Sequence, residues 1–302
     1  MKNILILGSG GIASLYGSMM QRHGFSVSLY ARRNSEEIAS GIQVDSVWGN
    51  YFFRPENVFT EIDFSKYRPD LIISSLKALP EIRLGTILKG LPEKIPVLLL
   101  QNGIGLEEEF AELFPKNPVF AGLAFVCSNR HSPVYVNHLD YGQITVSPYL
   151  RSDMSLAEKI YSVFKDSGVP SEIIQDYRLG RWKKLMWNAP FNPLSVLCGG
   201  ASTKDILENP HTLDLTKKIM QEVLKTAHAL NIPLKNSQPD EFIEMTFRMK
   251  PYKTSMLLDF ENRRPMEIDV ILGNTVKFAG QAGLELPHIY TMYCILKMRN
   301  YL

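Results

Sequence analysis

An α/β sheet domain followed by a mostly helical second half is the fold class this sequence predicts, on three observations. The chain opens on four apolar residues, Ile4 to Leu7, that run straight into glycines and a helical stretch. Further short apolar runs follow at 70–75 and 96–100, separated by turn and helix signals. From Tyr177 onward this alternation stops and long helical periodicities take over. Unbroken apolar runs of this length suit strands buried on both faces, as in parallel sheets. With 302 residues the chain is long enough for two domains, expected at 1–174 and 175–302.

Composition narrows the class. Hydrophobic residues make up 45% and charged residues 21%, as in an ordinary globular protein. The net charge of +2 supplies no field for nucleic acid or an anionic membrane, so neither is an expected partner. Cys127, Cys198 and Cys294 are scattered and form no CxxC pair, which suits reduced thiols better than a disulfide framework. The six histidines show no metal-ligand spacing, so no metal is expected. No apolar run approaches the ~20 residues that cross a bilayer. The N-terminus enters a strand at once, unlike a signal peptide, and a cytoplasmic location is the expectation.

After the first strand, Gly8, Ser9, Gly10, Gly11, Ile12 and Ala13 follow the G-x-G-x-x-G/A spacing of a dinucleotide-binding, Rossmann-like turn. Gly8 permits the tight turn. Gly10 lacks the Cβ that would block a pyrophosphate, and Ala13 lets the helix lie against the sheet. That helix, from Ile12 to about His23, aims free N–H groups and its positive dipole end at the phosphate. Gly24 ends it. Phe25, Val27 and Leu29 then alternate with Ser26, Ser28 and Tyr30 as a second strand. Where an NAD site carries an acid for the ribose 2′-hydroxyl, this chain has Arg32 and Arg33. A guanidinium there suits the 2′-phosphate of NADP, although the same pair also reads as two solvated arginines. Residues 41–60 look like a small inserted hairpin without visible chemistry. Lys77 and Asn102 follow the next two strands, at the carboxyl rim where ligands of open α/β sheets gather. Asn102 also opens an Asn-Gly turn dipeptide, an ordinary structural feature. Phe120–Cys127 and Val134–Val146 read as a closing antiparallel hairpin, and a helix spans about Ser155 to Ser167.

In the second half, Arg181 to Leu197 is the informative helix. Lys184, Asn188 and Asn192 fall four residues apart on one face, amid Trp182, Leu185, Met186, Trp187, Phe191, Leu194 and Leu197. A polar stripe on a helix so apolar either lines a cleft, forms satisfied core contacts, or faces solvent at an edge. Pro190 and Pro193 interrupt its hydrogen-bond ladder. Pro265 suits the first turn of a later helix, which would put Glu267 near a positive helix end. Asp259 and Asp269 suit local hydrogen bonding.

These residues together resemble the ketopantoate reductase (2-dehydropantoate 2-reductase) family, from Met1 to about Pro287. The glycine turn, Arg32, Lys77, Gln101-Asn102-Gly103, Trp182-Lys183-Lys184-Leu185 with Asn188 and Asn192, and Ser255-Met256 with Glu267-Ile268-Asp269 all match in order. The resemblance implies an NADPH-dependent reduction of a 2-oxo acid in pantothenate biosynthesis. It implies Lys184 as general acid, Glu267 as its partner, and Asn102, Asn188, Asn192 and Ser255 as substrate ligands. It also implies Lys77 near the nicotinamide and Arg32 on the 2′-phosphate. Domain closure would exclude water during the reaction. A reductase of another 2-oxo acid or an imine is the alternative, and a non-catalytic NADP sensor is a second. A homodimer is compatible with the sequence, which does not set the oligomeric state.

Overall fold

The computed structural model describes residues 1–300. The chain divides into two units, one comprising Met1–Gln101 with Leu106–Tyr177, the other Asn102–Gly105 with the chain from Arg178 onward. Against the expected continuous halves, the change of unit falls at Tyr177/Arg178, and a four-residue loop of the first half belongs to the second unit.

The first unit contains ten strands, five α-helices and a 3-10 turn at Arg151–Asp153: β1 (Asn3–Leu7), α1 (Gly11–Arg22), β2 (Ser26–Tyr30), α2 (Ser35–Ser40), β3 (Ile42–Ser46), β4 (Tyr51–Phe53), β5 (Val58–Phe59), β6 (Leu71–Ser74), α3 (Leu84–Ile87), β7 (Val97–Leu99), α4 (Leu106–Leu113), β8 (Val119–Ser132), β9 (Tyr135–Pro148), α5 (Met154–Asp166) and β10 (Ser171–Ile173). They form one sheet of order β4-β3-β9-β8-β7-β6-β1-β2-β5, with β10 beside β9. From β5 through β2, β1, β6 and β7 to β8 every pairing is parallel. The β8–β9 and β3–β4 pairings are antiparallel, as the two hairpin expectations require. β10 is a strand that the sequence reading did not anticipate; at three residues it is too short for a periodic signal.

Burial explains the apolar runs. Ile4 to Leu7 are all 1% exposed or less, so β1 is covered on both faces. Ala13, Leu15, Tyr16 and Met20 of α1 share a core with Ile160 and Phe164 of α5. The Tyr16 and Phe164 rings meet edge to face at 5.5 Å, and the Tyr16 hydroxyl donates to the Gly142 carbonyl at 3.1 Å. The alternation in β2 does not mark a solvent face, because Ser28 and Tyr30 are buried too. β2 lies between β1 and β5, and the Ser28 hydroxyl accepts from Asn57 Nδ2 at 3.1 Å, which satisfies the small polar group inside the sheet.

The second unit is helical: α6 (Tyr177–Leu197, whose first residue belongs to the first unit), α7 (Thr203–Glu208), α8 (Pro210–Ala229), α9 (Gln238–Arg248), α10 (Ser255–Glu261), a π-helical turn at Asp269–Gly273, α11 (Asn274–Gln281) and α12 (Pro287–Asn300). Side chains start several of them. Ser202 and Asp205 form a reciprocal capping box on α7, Asn209 accepts from His211 N–H at 2.9 Å ahead of α8, and Thr254 caps α10. α6 passes through the core formed with Ile219, Met220 and Val223 of α8 and Ile289, Met292 and Leu296 of α12. Each such fully buried apolar side chain contributes about 1.5–3 kcal/mol. That packing keeps α6 helical through Pro190 and Pro193, although each proline withdraws the donor for a carbonyl four residues earlier. No described helix is long and apolar enough to cross a membrane.

Candidate active site

In the first unit, the turn between β1 and α1 has the geometry its glycines allow. Gly8 sits at φ +108°, in the left-handed region, and donates to the Tyr30 carbonyl at 2.9 Å. Gly10 opens the helix in extended conformation, and a Cβ built there would meet nothing within 4 Å. The start of α1 carries no side-chain cap and no acidic residue in its first turn. Unsatisfied N–H groups at a positive helix end, beside open space over Gly10, fit a bound phosphate. The turn therefore fits the pyrophosphate of a dinucleotide. Ser9, Gly11 and Ile12 are half-buried around it, and Ala13 is packed into the core beneath. Arg32 and Arg33 are exposed just past β2, and Lys77 is half-buried just past β6, each at the carboxyl end of its strand.

In the second unit, a loop, a helix and a π-turn carry the other predicted residues. Lys184 is half-buried on α6; one and two turns on, Asn188 and Asn192 are 7% and 1% exposed. The stripe is thus an interior feature of the helix, not a solvated edge. Burial pushes the Lys184 ammonium down to about 7, with the neighbouring Arg181 charge acting in the same direction and Glu267 opposing both. Arg181 lies three residues before Lys184 and is 2% exposed. The sequence reading assigned no role to Arg181; its three-residue offset, which places it beside Lys184 on the helix, was the available signal.

Glu267 is placed by a turn different from the expected one. Pro265 does not open a helix. It is exposed in the connecting segment, and helical backbone begins at Ile268 with the π-turn from Asp269. The preceding bend is held by Arg264, whose N–H reaches the Asp259 carbonyl at 2.8 Å and whose Nε reaches Asp259 Oδ1 at 3.1 Å. Glu267 stands directly before the helical backbone, so it still flanks a helix N-terminus. Asp269 is a local anchor, accepting from Tyr293 Oη and Lys297 Nζ at 3.0 Å each.

The loop Asn102–Gly105 is fastened to that π-turn. Ile104 N–H donates to the Val270 carbonyl at 3.2 Å, and Asn274 Nδ2 donates to the Ile104 carbonyl at 2.6 Å. Gly103, at φ +95°, lies so close that a Cβ would stand 2.5 Å from the Val270 oxygen. This seating lets Asn102 Nδ2 donate to Glu267 Oε2 at 3.1 Å. Asn102 and Glu267 are thus hydrogen-bonded, and Arg181 and Glu267 are the charges that act on Lys184 from either side of its balance. Ser255 is exposed in the first turn of α10, one residue after the capping Thr254. Among the described residues no cluster of three or more His, Cys, Asp or Glu is arranged to hold a metal.

Comparison with known proteins covers both units. The family model described as ketopantoate reductase PanE/ApbA matches residues 4–151, and the model of its C-terminal part matches 176–300. A 2-dehydropantoate 2-reductase of Nostoc sp. is 34% identical over 299 residues, covering 97% of this chain and 93% of the relative. The crystal structure of 2-dehydropantoate 2-reductase from Methylococcus capsulatus superposes with a TM-score of 0.89 at 33% identity, over 99% of this chain and 97% of that one. That from Geobacter metallireducens GS-15 does so with a TM-score of 0.91 at 31% identity, over 98% and 99%. A glycine turn on a parallel sheet, a helical unit carrying a depressed lysine, and these matches along nearly the whole length agree: the chain belongs to the ketopantoate reductase family of NAD(P)-dependent oxidoreductases.

Proposed function

We propose that this chain is a 2-dehydropantoate 2-reductase, reducing the ketone of ketopantoate to the alcohol of pantoate with NADPH, in pantothenate biosynthesis. The observation that carries the reading is Lys184, held near neutrality among Arg181, Glu267 and the Asn102 that binds Glu267. When bound, the reduced nicotinamide supplies a hydride to the ketone carbon. Negative charge then grows on the ketone oxygen, and the Lys184 ammonium donates its proton there as the C–O double bond is lost. A midpoint of about 7 leaves the group partly protonated at neutral pH, the condition for general acid catalysis. Glu267 keeps the charged form of Lys184 available. Asn188, Asn192, Ser255 and Asn102 are assigned to holding the keto acid, Arg32 to the 2′-phosphate, and Lys77 to the neighbourhood of the nicotinamide.

The test is consumption of NADPH, followed by absorbance, with ketopantoate and with other 2-oxo acids side by side. Ketopantoate should give the highest kcat/KM; another acid doing so would reassign the substrate. Lys184→Ala should lower turnover by about 10²- to 10⁴-fold while NADPH still binds. Near-normal turnover in that variant would remove Lys184 from the mechanism. NADPH binding without oxidation by any 2-oxo acid would favour a sensor.

A further inference from the structure

We infer that Arg130 is a second anion clamp of the coenzyme site, gripping the pyrophosphate from the β8 side of the glycine turn; the inference rests on the coenzyme reading above. β8 spans Val119–Ser132, and its register against β9 shifts at Cys127/Ser128 and again at Arg130/Ser132. Such irregularities re-aim side chains out of the pleat. Here they bring two residues to the turn. Ser128 Oγ lies 2.5 Å from where a Cβ on Gly11 would stand. Arg130 Nη1 donates to Ser9 Oγ at 3.4 Å, while its Nε donates to the Ser132 carbonyl at 3.1 Å. The bond to Ser132 sets the plane of the guanidinium. The bond to Ser9 is at the long end of the hydrogen-bonding range, so a phosphate oxygen can displace it.

Charge supports the assignment. A dinucleotide pyrophosphate is dianionic, and the net charge of +2 provides no general field for it. Backbone N–H groups and a helix dipole supply partial charges only. A guanidinium hydrogen-bonded to the second residue of the turn supplies a whole one and matches phosphate oxygens with parallel donors. Arg32 follows β2 and is assigned to the 2′-phosphate, so the two arginines serve different groups of one coenzyme.

Equilibrium binding, followed by coenzyme fluorescence without substrate, separates the roles. Arg130→Gln should weaken NADPH and NADH by the same factor, about 10- to 100-fold, leaving their ratio unchanged. Its affinity for 2′-AMP, which lacks the pyrophosphate, should match wild type, which also reports an intact adenosine site. Arg130→Lys, keeping the charge without the fork, should bind between the two. Unchanged NADPH affinity in Arg130→Gln, or an equal loss of 2′-AMP, would overturn the inference while leaving the coenzyme reading in place. A wild-type protein that binds neither coenzyme would overturn both.

Discussion

Replacing Glu267 by glutamine is the sharpest probe of the proposed chemistry, because it removes one charge and almost no volume. Glu267 is the group that favours the Lys184 ammonium, against burial and Arg181, which both disfavour it. Its carboxylate also accepts from Asn102 Nδ2, a bond the glutamine amide oxygen can keep. Losing a nearby opposite charge should lower the lysine midpoint by about one pH unit, equivalent to about 1.4 kcal/mol. Starting from about 7, the midpoint then falls to about 6. At about pH 7.5 the protonated fraction drops from about a quarter to about 3%, so reductive turnover should fall about eightfold. At about pH 5.5 most of the lysine is protonated in both proteins, and the difference should shrink to about a fifth. The assay is kcat for NADPH consumption across this range, at saturating keto acid. A basic limb that stays in place or moves upward would refute the electrostatic role. A uniform loss at every pH would mean that the carboxylate acts directly on substrate or coenzyme.

Other expectations follow from the same geometry. Arg32→Ala should lower the preference for NADPH over NADH by about tenfold or more, measured as a ratio of dissociation constants, and an unchanged ratio would remove the 2′-phosphate assignment. Gly103→Ala combines a left-handed φ with a Cβ 2.5 Å from the Val270 oxygen. It should destabilise the protein by about 1–3 kcal/mol and lower turnover by unseating Asn102, as read by denaturant unfolding and initial rates. The Lys184 midpoint also sets a stability signature. Its folded value, about 7, lies below the ordinary lysine value of 10.5, so the unfolded chain binds more protons between those two pH values. The penalty is fully present below about pH 7 and fades as pH rises. Lys184→Met should therefore raise the thermal midpoint most below neutrality, with the gain declining toward alkaline pH.

Much of the first unit was legible in the order of residues, because its signals are local. A strand buried on both faces needs only a short apolar run, and the tight turn after it needs glycine at a position that an observed φ of +108° forbids to most side chains. The stripe of Lys184, Asn188 and Asn192 was equally local, since four-residue spacing alone places side chains on one helix face. The family resemblance placed Glu267 and Asn102 in the same site, but not the bond between them.

Tertiary structure decided what depends on distant partners. The hydrogen bond from Asn102 to Glu267 joins residues 165 apart, through a loop seated on a π-turn, and no periodicity encodes such a pairing. The burial of Ser28 follows from its place between strands, and the depressed midpoint of Lys184 follows first from desolvation in the packed unit, to which its helix neighbour Arg181 adds. Arg130 approaches Ser9 because β8 changes register on the way. Local chemistry prescribes elements and turns; desolvation and charge proximity are properties of the packed interior, and they become definite only when the elements have found one another.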